Sequence, residues 1–359
     1  MSNKKTLAID ARMISASGIG VVIRNILPVL TNDFFVYLIG DKNKLLKFKE
    51  TLKVEIIHTK SSIYSIKILF QYPFFPKTDL LWVPHFNVPI LSNAKIRVVT
   101  IHDTYHLDNF NKLNFKQKVF AKIFYFLSIK LSNHVFTVSH FTLSRVMFFF
   151  NIDPSKISVI YPGAKRLLRP QTKKRGKFFL FVGNLKPHKN VKNLIYAYSA
   201  LTEKIKKELK LVIVGKSTGF INPDEDLKQL VIDLGLIEKI DFLEDLSNNE
   251  LSELYYNSEF LIFPSTYEGF GLPILEAFST KTPVMCSNLD VFREVSGNAV
   301  LFFNPFSIED IVEKIVTLHQ SQSLKRELAY RGSKKLKQFS WNKCQNQYLQ
   351  AFKKLTKHE

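Results

Sequence analysis

Two series of short apolar runs, separated by one basic segment, constrain the fold of this chain more than any other feature of its sequence. The runs of the first series are TLAIDARMI (6–14), FFVYLIG (34–40), LLWVPH (80–85), RVVTIHD (97–103) and HVFTVS (134–139). Those of the second are KFFLFVG (177–183), KLVIVG (210–215), KIDFLE (239–244), SEFLIFPS (258–265) and TPVMCS (282–287). Continuous apolar runs, rather than strict alternation, are typical of strands buried on both faces of a parallel sheet.

Longer amphipathic segments alternate with these runs, and we predict that they form helices. They are residues 21–27, 115–131 and 140–149 in the first series, and 191–208, 224–235, 248–257, 272–280 and 307–319 in the second. We expect Pro28 to end or kink the first of them. This alternation is that of βαβ units. It predicts an α/β protein with two doubly wound, Rossmann-like halves that face a cleft, with ligands at the carboxyl ends of the strands.

The boundary between the halves falls in YPGAKRLLRPQTKKRGK (161–177), whose proline, glycine and basic residues are typical of a linker. Positive charge is shared unequally across this boundary. Residues 1–165 contain 22 Lys and Arg against 9 Asp and Glu, a net charge of +13, whereas residues 166–359 contain 29 against 22, a net charge of +7. A total of +20 favours an anionic partner, such as a phosphorylated ligand, an acidic lipid or a nucleic acid.

Composition excludes several classes of protein. A 46% hydrophobic content over 359 residues is that of a globular chain rather than a disordered or fibrous one. Cys286 and Cys344 cannot form a disulfide framework or a zinc site by themselves. Since no apolar window reaches the length of a membrane span and residues 1–12 lack a signal-like apolar stretch, we expect a cytoplasmic protein that does not cross the membrane.

The segment FPSTYEGFGLPILEAFSTKTPVMCS (263–287) is the most informative for chemistry. It predicts a strand, a glycine-bearing loop and then a helix that starts near Leu272, which is the arrangement of an anion site. Gly269 and Gly271 allow the backbone to approach a ligand closely. Glu268 and Glu276 can accept hydrogen bonds from two sets of sugar hydroxyls while the N–H groups hold phosphates between them.

This segment resembles the E-x7-E signature of the GT-B glycosyltransferases, specifically the retaining enzymes of family 4. Other segments resemble that family in the expected order: HVFTVSHFT (134–142), VIYPGAK (159–165), FFLFVGNLKPHKNVKNLIYAYSAL (178–201), VFREVSGNAVLFFNP (291–305) and FSW (339–341). The resemblance covers nearly the whole chain. It implies an N-terminal acceptor-side domain of residues 1–165 plus 341–359, whose final helix crosses back, and a C-terminal nucleotide-sugar-binding domain of residues 166–340. NLKPHKN and IHDTYHL are most similar to the mannosyl- and rhamnosyltransferase branch of bacterial polysaccharide assembly.

The resemblance implies roles for residues of the C-terminal domain. Glu268 would bond hydroxyls of the donor sugar, Glu276 would hold the nucleotide ribose, and Lys189 would neutralise the diphosphate. The backbone N–H groups offered to sugar and phosphate would be those of Phe270, Gly271 and Leu272. Because Lys189 and helix N-termini can take the task of a cation, we expect no metal and no cofactor beyond the nucleotide-sugar co-substrate.

In the N-terminal domain, the resemblance implies that His102 lies near the anomeric carbon. Gly18 and Gly20 would form a loop over the diphosphate. In the C-terminal domain, Asn184 stands where many relatives carry an arginine of the phosphate site. One diphosphate cation is therefore missing, unless Lys186 or a helix N-terminus replaces it.

Each of these residues also has a purely structural interpretation. The two glutamates are compatible with a solvated helix start, His102 with a hydrogen-bonded histidine at a strand end, and Lys189 with a surface lysine. Asp224 and Asp226 form a D-x-D motif, but its position at a predicted helix start favours a cap over a metal site.

The segment NKLNFKQKVFAKIFYFLSIKLSN (111–133) has two possible interpretations. It is compatible with a core helix that exposes a basic face, and also with an interfacial helix that docks on anionic lipid. The second predicts membrane contact by Lys116, Lys118, Phe120 and Lys122. The protein would then be peripheral on the inner face of the cytoplasmic membrane.

The leading functional hypothesis is a hexosyltransferase that moves a sugar, from GDP-mannose or another nucleotide-diphosphate hexose, to a glycan or lipid-linked glycan in cell-surface polysaccharide synthesis. A sugar-nucleotide epimerase of the same fold lacks support in the E-x7-E segment. A nucleic-acid-binding protein would need a recognisable module, which the sequence does not contain. A catalytically weakened sugar-nucleotide-binding scaffold is suggested by Asn184. The sequence does not determine the oligomeric state.

Overall fold

The computed structural model describes residues 4–16, 18–63, 65, 72–165, 167, 176–216 and 227–357. The chain divides into two compact units. Unit 1 comprises Met1–Gly163 and Trp341–Glu359, and unit 2 comprises Ala164–Ser340.

The strands of both units are short and lie in chain order as follows: β1 (Thr6–Asp10), β2 (Phe35–Gly40), β3 (Glu55–His58), β4 (Thr78–Val83), β5 (Ala94–Ile101), β6 (His134–Thr137), β7 (Ile157–Val159), β8 (Phe178–Val182), β9 (Lys210–Val214), β10 (Ile240–Leu243), β11 (Leu261–Phe263), β12 (Val284–Ser287) and β13 (Leu301–Phe303).

The α-helices alternate with these strands: α1 (Gly18–Asp33), α2 (Lys42–Leu52), α3 (Tyr105–Asp108), α4 (Phe115–Leu131), α5 (His140–Phe149), α6 (Val191–Ser199), α7 (Glu203–Glu208), α8 (Leu227–Asp233), α9 (Asn248–Asn257), α10 (Leu272–Ser279), α11 (Asp290–Ser296), α12 (Ile308–Gln320), α13 (Gln322–Lys335) and α14 (Trp341–Lys357). Short 3-10 turns occupy Tyr72–Phe74, Phe110–Lys112, Pro154–Lys156, Pro187–Lys189 and Leu336–Gln338.

Unit 1 is built on a parallel sheet with strand order β3-β2-β1-β4-β5-β6-β7. Successive residues of its central strands supply two different cores. Leu7 and Trp82 belong to the core that contains α1 and α14, whereas Ala8 and Leu81 belong to the core that contains α4. Because both faces of the sheet are covered, its central strands carry apolar residues at successive positions, as their continuous apolar runs predict.

The final helix, α14, belongs to unit 1, and the expectation that the chain crosses back is confirmed. Its Tyr348 and Phe352 rings pack against Trp82, with ring centroids 5.2 and 5.7 Å apart. The Tyr348 hydroxyl also lies 3.1 Å from Thr100 Oγ1. This helix therefore completes the core of the first domain, although its sequence follows the second.

Unit 2 repeats the design with strand order β10-β9-β8-β11-β12-β13, again parallel. The loops after β8 and β9 touch at Gly215, where a Cβ atom would lie only 1.8 Å from the Gly183 carbonyl oxygen. In both units the strand order reverses beside the first strand, between β1 and β4 and between β8 and β11. The predicted class, two doubly wound Rossmann-like domains, is confirmed.

The structure corrects three local predictions. Pro28 does not end the first helix, which continues to Asp33 because its apolar face, including Ile23, Ile26 and Leu30, is fully buried. The helix predicted over 191–208 is divided into α6 and α7, since the Thr202 hydroxyl accepts the Ile205 N–H and starts a new helix. The strand predicted over 6–14 ends at Asp10.

Candidate functional site

The predicted donor-site residues of unit 2 gather where its strand order reverses, between β8 and β11. The turn Pro187–Lys189 follows β8, and the loop 264–271 follows β11. Thr266 joins them, since its N–H and its hydroxyl both donate to the His188 carbonyl, at 2.8 and 3.2 Å. Ligands of open α/β sheets bind at this type of position, because two loops diverge there and leave a crevice.

Lys189 and Glu268, which are 79 residues apart in sequence, form an ion pair across these two loops. The side chains are 12% and 15% exposed, so the pair is mostly shielded from water. The Ser265 hydroxyl donates to the same carboxylate oxygen at 2.8 Å. The structure therefore brings together a cation for phosphate and a carboxylate for hydroxyls, and in the unliganded protein each group is the partner of the other.

The N-terminus of α10 lies directly beyond this pair in the chain. Gly271 precedes the helix with φ +118°, in the region that side-chain-bearing residues rarely adopt, and a Cβ atom there would approach the Phe292 ring to 3.2 Å. Gly271 has no side chain to cap the first turn, and Leu272 begins the helix. Phe270 is buried, with its ring 5.7 Å from that of Phe339. The helix dipole favours negative charge at this position.

Glu276 lies in the second turn of α10 and has one side-chain partner among the described residues. The Tyr255 hydroxyl of α9 donates to Glu276 Oε2 at 2.8 Å. Burial raises the pKa of the Glu276 carboxyl, while the Tyr255 hydrogen bond and the charge of Lys165 oppose that change. Tyr255 is a residue that the sequence analysis did not single out.

Asn184 lies two residues after β8 and is half-buried. Its Oδ1 atom is buried and takes no hydrogen bond from any residue that the structure describes. Of the nearby lysines, Lys216 forms an ion pair with Asp245, and Lys186 precedes the Pro187–Lys189 turn. The position where the resemblance implies an arginine therefore presents an amide oxygen with no partner among the described residues.

In unit 1, a buried charged cluster lies where β1 ends, at the second reversal of strand order. Asp10 is fully buried and forms a bidentate pair with Arg12, at 2.9 Å from Nε and 2.6 Å from Nη2. The Tyr72 hydroxyl donates to Asp10 Oδ2 at 3.0 Å, and His85 Nε2 lies 3.3 Å away. Burial would raise the pKa of the Asp10 carboxyl, but the Arg12 charge and the hydrogen bonds from His85 and Arg12 hold it well below its usual range.

This cluster was missed by the sequence analysis, although a carboxylate at the end of a buried strand was its signal. Arg12 Nη1 also donates to the Ser62 carbonyl at 2.8 Å. The cluster thus ties together four segments, those that contain residues 10–12, 62, 72 and 85. Because Asp10 stays ionised and Arg12 is 3% exposed, these residues are suited to fixing loops rather than to transferring protons.

His102 follows β5 directly, and its ring Nε2 atom is buried without a hydrogen-bond partner among the described residues. Burial, with a contribution from His85, lowers the pKa of His102 from 6.5 to about 4, although a hydrogen bond to the Pro84 carbonyl opposes this. The lowered pKa makes the imidazole neutral near pH 7, so one ring nitrogen donates and the other accepts, and Nε2 has no partner among the described residues.

Gly18 and Gly20 are the first and third residues of α1 rather than members of a loop before it, which corrects their predicted position. The reasons for glycine differ at the two positions. A Cβ atom on Gly20 would lie 2.7 Å from the Met13 and Ile14 carbonyl oxygens, whereas one on Gly18 would meet no atom within 4 Å. The fold therefore requires glycine at residue 20 but not at residue 18.

Helix α4 has an apolar face on each side, one packed in the core and one exposed, and contact with lipid stays a prediction. One face packs in the core through Ala121, Phe124, Tyr125 and Ser128, all of them buried. The opposite face carries four large apolar side chains that are 42–80% exposed: Phe115, Val119, Ile123 and Phe126.

The residues of α4 that are predicted to contact the membrane differ in their exposure and in their packing. Lys122 is exposed, and Lys118 lies with Nζ 5.4 Å from the Phe110 ring centroid. Phe120 is half-buried and stacks on Phe124 with ring centroids 3.9 Å apart, so it packs toward the core and not outward, contrary to the prediction. The side chain of Lys116 lies outside the described residues.

The part of the chain that the structure describes contains no group of three or more His, Cys, Asp or Glu side chains that could hold a metal ion. It also contains no helix with the length and apolarity to cross a bilayer. The D-x-D motif of Asp224 and Asp226 lies outside the described residues.

Two family models together match residues 7–335 of the chain. The model for glycosyl transferases group 1 matches residues 165–335, and the model for glycosyltransferase family 4 matches residues 7–165. Among curated proteins, the O-antigen chain mannosyltransferase RfbU of Salmonella typhimurium is 36% identical over 231 residues, 64% of this chain. The O-antigen chain mannosyltransferase B of Escherichia coli is 31% identical over 242 residues, again 64% of this chain. The chain spans 62% of the length of each relative.

A solved structure supports the same fold at much lower identity. HepE of Anabaena, determined in complex with UDP and glucose, superposes with a TM-score of 0.79. It covers 98% of this chain and 100% of its own, with 14% sequence identity.

Proposed function

The chain belongs to the glycosyltransferases of group 1 and family 4, and on that premise we propose that it transfers a hexose from a nucleotide-diphosphate donor to a glycan or lipid-linked glycan, with retention at the anomeric carbon. The observation that carries the proposal is the Lys189–Glu268 pair beside the N-terminus of α10. A cation, a carboxylate and a helix N-terminus at one reversal of strand order match the groups of a sugar diphosphate.

Different groups of unit 2 bind the diphosphate, the sugar and the ribose of the donor. Lys189 and the first N–H groups of α10 receive the diphosphate, since both present positive charge. Glu268 accepts hydrogen bonds from hydroxyls of the sugar, and Glu276 accepts them from the ribose. The two carboxylates lie eight residues apart, one before the helix and one in its second turn, so the phosphates fit between them.

The chemical step is departure of the nucleotide from the anomeric carbon. Lys189 and the helix N-terminus stabilise the negative charge that develops on the β-phosphate, which is electrostatic catalysis by groups already in position. The bond between the anomeric carbon and the β-phosphate oxygen breaks as the acceptor hydroxyl bonds to that carbon on the same face. The departing β-phosphate takes the hydroxyl proton, which gives retention without a protein nucleophile. In unit 1, His102 has a buried Nε2 atom with no hydrogen-bond partner among the described residues, and its role near the anomeric carbon stays a prediction.

Mannose is the sugar that we propose for the donor, as GDP-mannose, for synthesis of a cell-surface polysaccharide. Support comes from the two curated relatives, which are described as O-antigen chain mannosyltransferases. HepE shows UDP and glucose on the same fold, so the fold itself does not select the base or the sugar.

We further propose that no divalent metal takes part and that the protein works at the inner surface of the cytoplasmic membrane. Lys189 and the N-terminus of α10 supply the positive charge that a metal would supply. The exposed apolar face of α4 and the lysines beside it support contact with anionic lipid. Each lysine near such a surface contributes about 1 kcal/mol.

The test is a thermal-shift screen against GDP-mannose, dTDP-rhamnose, UDP-glucose, UDP-galactose and UDP-N-acetylglucosamine, followed by a transfer assay with the donor that binds. A ligand that binds the folded state raises the unfolding midpoint. We expect GDP-mannose to raise it and to be consumed when a mannose-containing acceptor is present. No shift with any of the five donors would refute the proposal.

A second function, binding without turnover, is favoured by the unpaired Asn184 oxygen at the arginine position. A donor-hydrolysis assay separates the two. A scaffold would bind the donor with neither hydrolysis nor transfer, whereas an enzyme would release the nucleotide. Restoring the cation with Asn184→Arg would increase turnover of a weakened enzyme.

A further inference from the structure

Tyr255 is a buried tyrosine whose hydroxyl reaches a carboxylate on the neighbouring helix. Its side chain has no exposed surface, and its hydroxyl lies 2.8 Å from Glu276 Oε2. A buried tyrosine usually finds a hydrogen-bond partner, but here the partner is the glutamate to which the ribose is assigned. No other described side chain hydrogen-bonds that carboxylate, and Oε1 and one lone pair of Oε2 stay open for the two ribose hydroxyls.

Hydrogen bonds to its backbone carbonyl fix the position of the Tyr255 main chain. Its backbone carbonyl accepts hydrogen bonds from the Thr282 hydroxyl at 2.6 Å and from the Ser258 hydroxyl at 3.0 Å. Thr282 in turn lies 2.8 Å from the hydroxyl of Thr280, the residue that ends α10. These hydrogen bonds fix the backbone of Tyr255 relative to the end of α10, and the packing around the fully buried ring restricts movement of the phenol.

In the pair of Tyr255 and Glu276, the tyrosine hydroxyl keeps its proton and is the donor. Burial, with the nearby Glu276 charge, raises the pKa of Tyr255 well above 10, so the hydroxyl is a permanent donor. Among the described residues, the groups that act on the Glu276 carboxyl are Tyr255 from α9 and Lys165 from the start of unit 2. Lys165 is exposed and donates to Asn248 Oδ1 at 2.5 Å, which leaves Tyr255 as the group in direct contact.

We propose that Tyr255 is a positioning residue, which holds the Glu276 carboxylate ionised and oriented to receive the 2′- and 3′-hydroxyls of the nucleotide ribose. The inference rests on the proposed function, because it needs Glu276 to bind a ribose. Without the phenol, Glu276 remains present but gains rotational freedom, and burial favours its protonated form.

The experiment measures dissociation constants by calorimetry for GDP and UDP and for their 2′-deoxy forms, from pH 5 to pH 8. The variants are Tyr255→Phe, Glu276→Gln and the matched control Tyr256→Phe, which removes a hydroxyl from the adjacent, half-buried tyrosine. Titration of the terminal phosphate is common to all variants, so differences between them report on Glu276.

For Tyr255→Phe we expect roughly 3- to 10-fold weaker binding at pH 7.5, because the Glu276 carboxylate loses the hydrogen bond from the Tyr255 hydroxyl. The loss is moderate because water can replace the phenol as a donor. As pH is lowered, nucleotide binding by Tyr255→Phe should begin to weaken at a higher pH than binding by the wild type. The reason is that the pKa of the Glu276 carboxyl rises when the phenol is removed. The preference for the nucleotide over its 2′-deoxy form should shrink in Tyr255→Phe and in Glu276→Gln but not in Tyr256→Phe.

The outcomes separate this inference from the proposed function. If the wild type binds none of these nucleotides, the proposed function fails. If Glu276→Gln weakens binding while Tyr255→Phe keeps the wild-type pH profile and the wild-type preference for ribose, only the positioning role of Tyr255 is refuted. A lower unfolding midpoint with both of those unchanged would show that Tyr255 is purely structural.

Discussion

The Lys189–Glu268 ion pair predicts that removal of the glutamate charge has opposite effects on the bare nucleotide and on the sugar donor. Lys189 is held by Glu268, so a diphosphate must share or displace that contact. An ion pair that is mostly shielded but still 12% and 15% exposed contributes about 1 kcal/mol. In Glu268→Gln this competition disappears, and we expect GDP or UDP, whichever the wild type binds, to bind about fivefold more tightly.

Turnover should change in the other direction. Glu268 is also the proposed acceptor for donor-sugar hydroxyls, and the loss of a hydrogen bond to a charged group costs about 1.5–3 kcal/mol. The value of kcat/KM for the sugar donor should therefore fall roughly 10- to 100-fold in Glu268→Gln. Lys189→Ala is the paired control, and it should weaken bare nucleotide by about 10- to 100-fold.

Calorimetry with the bare nucleotide and a donor-consumption assay on the same preparations test this reasoning. If Glu268→Gln weakens bare nucleotide as much as Lys189→Ala does, Glu268 supports the lysine and does not compete with the diphosphate. The assignment of the two residues to sugar and phosphate would then be wrong.

Three further outcomes are expected. Transfer activity should survive EDTA, and full loss with recovery on addition of Mn²⁺ or Mg²⁺ would contradict the assignment of the diphosphate to Lys189. Because the pKa of His102 falls from 6.5 to about 4 on folding, the unfolded chain binds more protons between these values. The free energy of unfolding should thus decrease as pH falls from 6.5 to 4. In urea titrations, His102→Gln should reduce the slope of the free energy of unfolding against pH. An unchanged slope would show that His102 is not buried in its neutral form. The protein should sediment with anionic vesicles at low salt and dissociate near 1 M salt, where the Debye length is about 3 Å. The double change Phe115→Ser and Phe126→Ser should abolish sedimentation without altering the unfolding midpoint. The control Tyr330→Ser, at a 59% exposed position of unit 2, should still sediment. Equal sedimentation of the wild type and both variants would exclude α4 as the contact.

The sequence by itself determined the features that depend on local pattern. Continuous apolar runs identified the central strands of both sheets, since residues that face two cores must be apolar on both sides. The Gly-rich loop before Leu272 and the spacing of Glu268 and Glu276 predicted a helix start with two carboxylates along it. These features could be predicted because each is encoded within about 25 consecutive residues.

Tertiary structure alone decided which groups meet. Lys189 contacts Glu268 across 79 residues, and Asp10 contacts His85 across 75, because parallel strands bring their carboxyl ends to one edge of the sheet. Tyr255 could not be assigned from sequence, since a tyrosine in an amphipathic helix is indistinguishable from any core residue until its hydroxyl is placed. For the same reason the two apolar faces of α4 could not be separated: periodicity shows that Phe120 and Phe126 are apolar, but only packing shows that Phe120 stacks inward and that Phe126 is left on the surface.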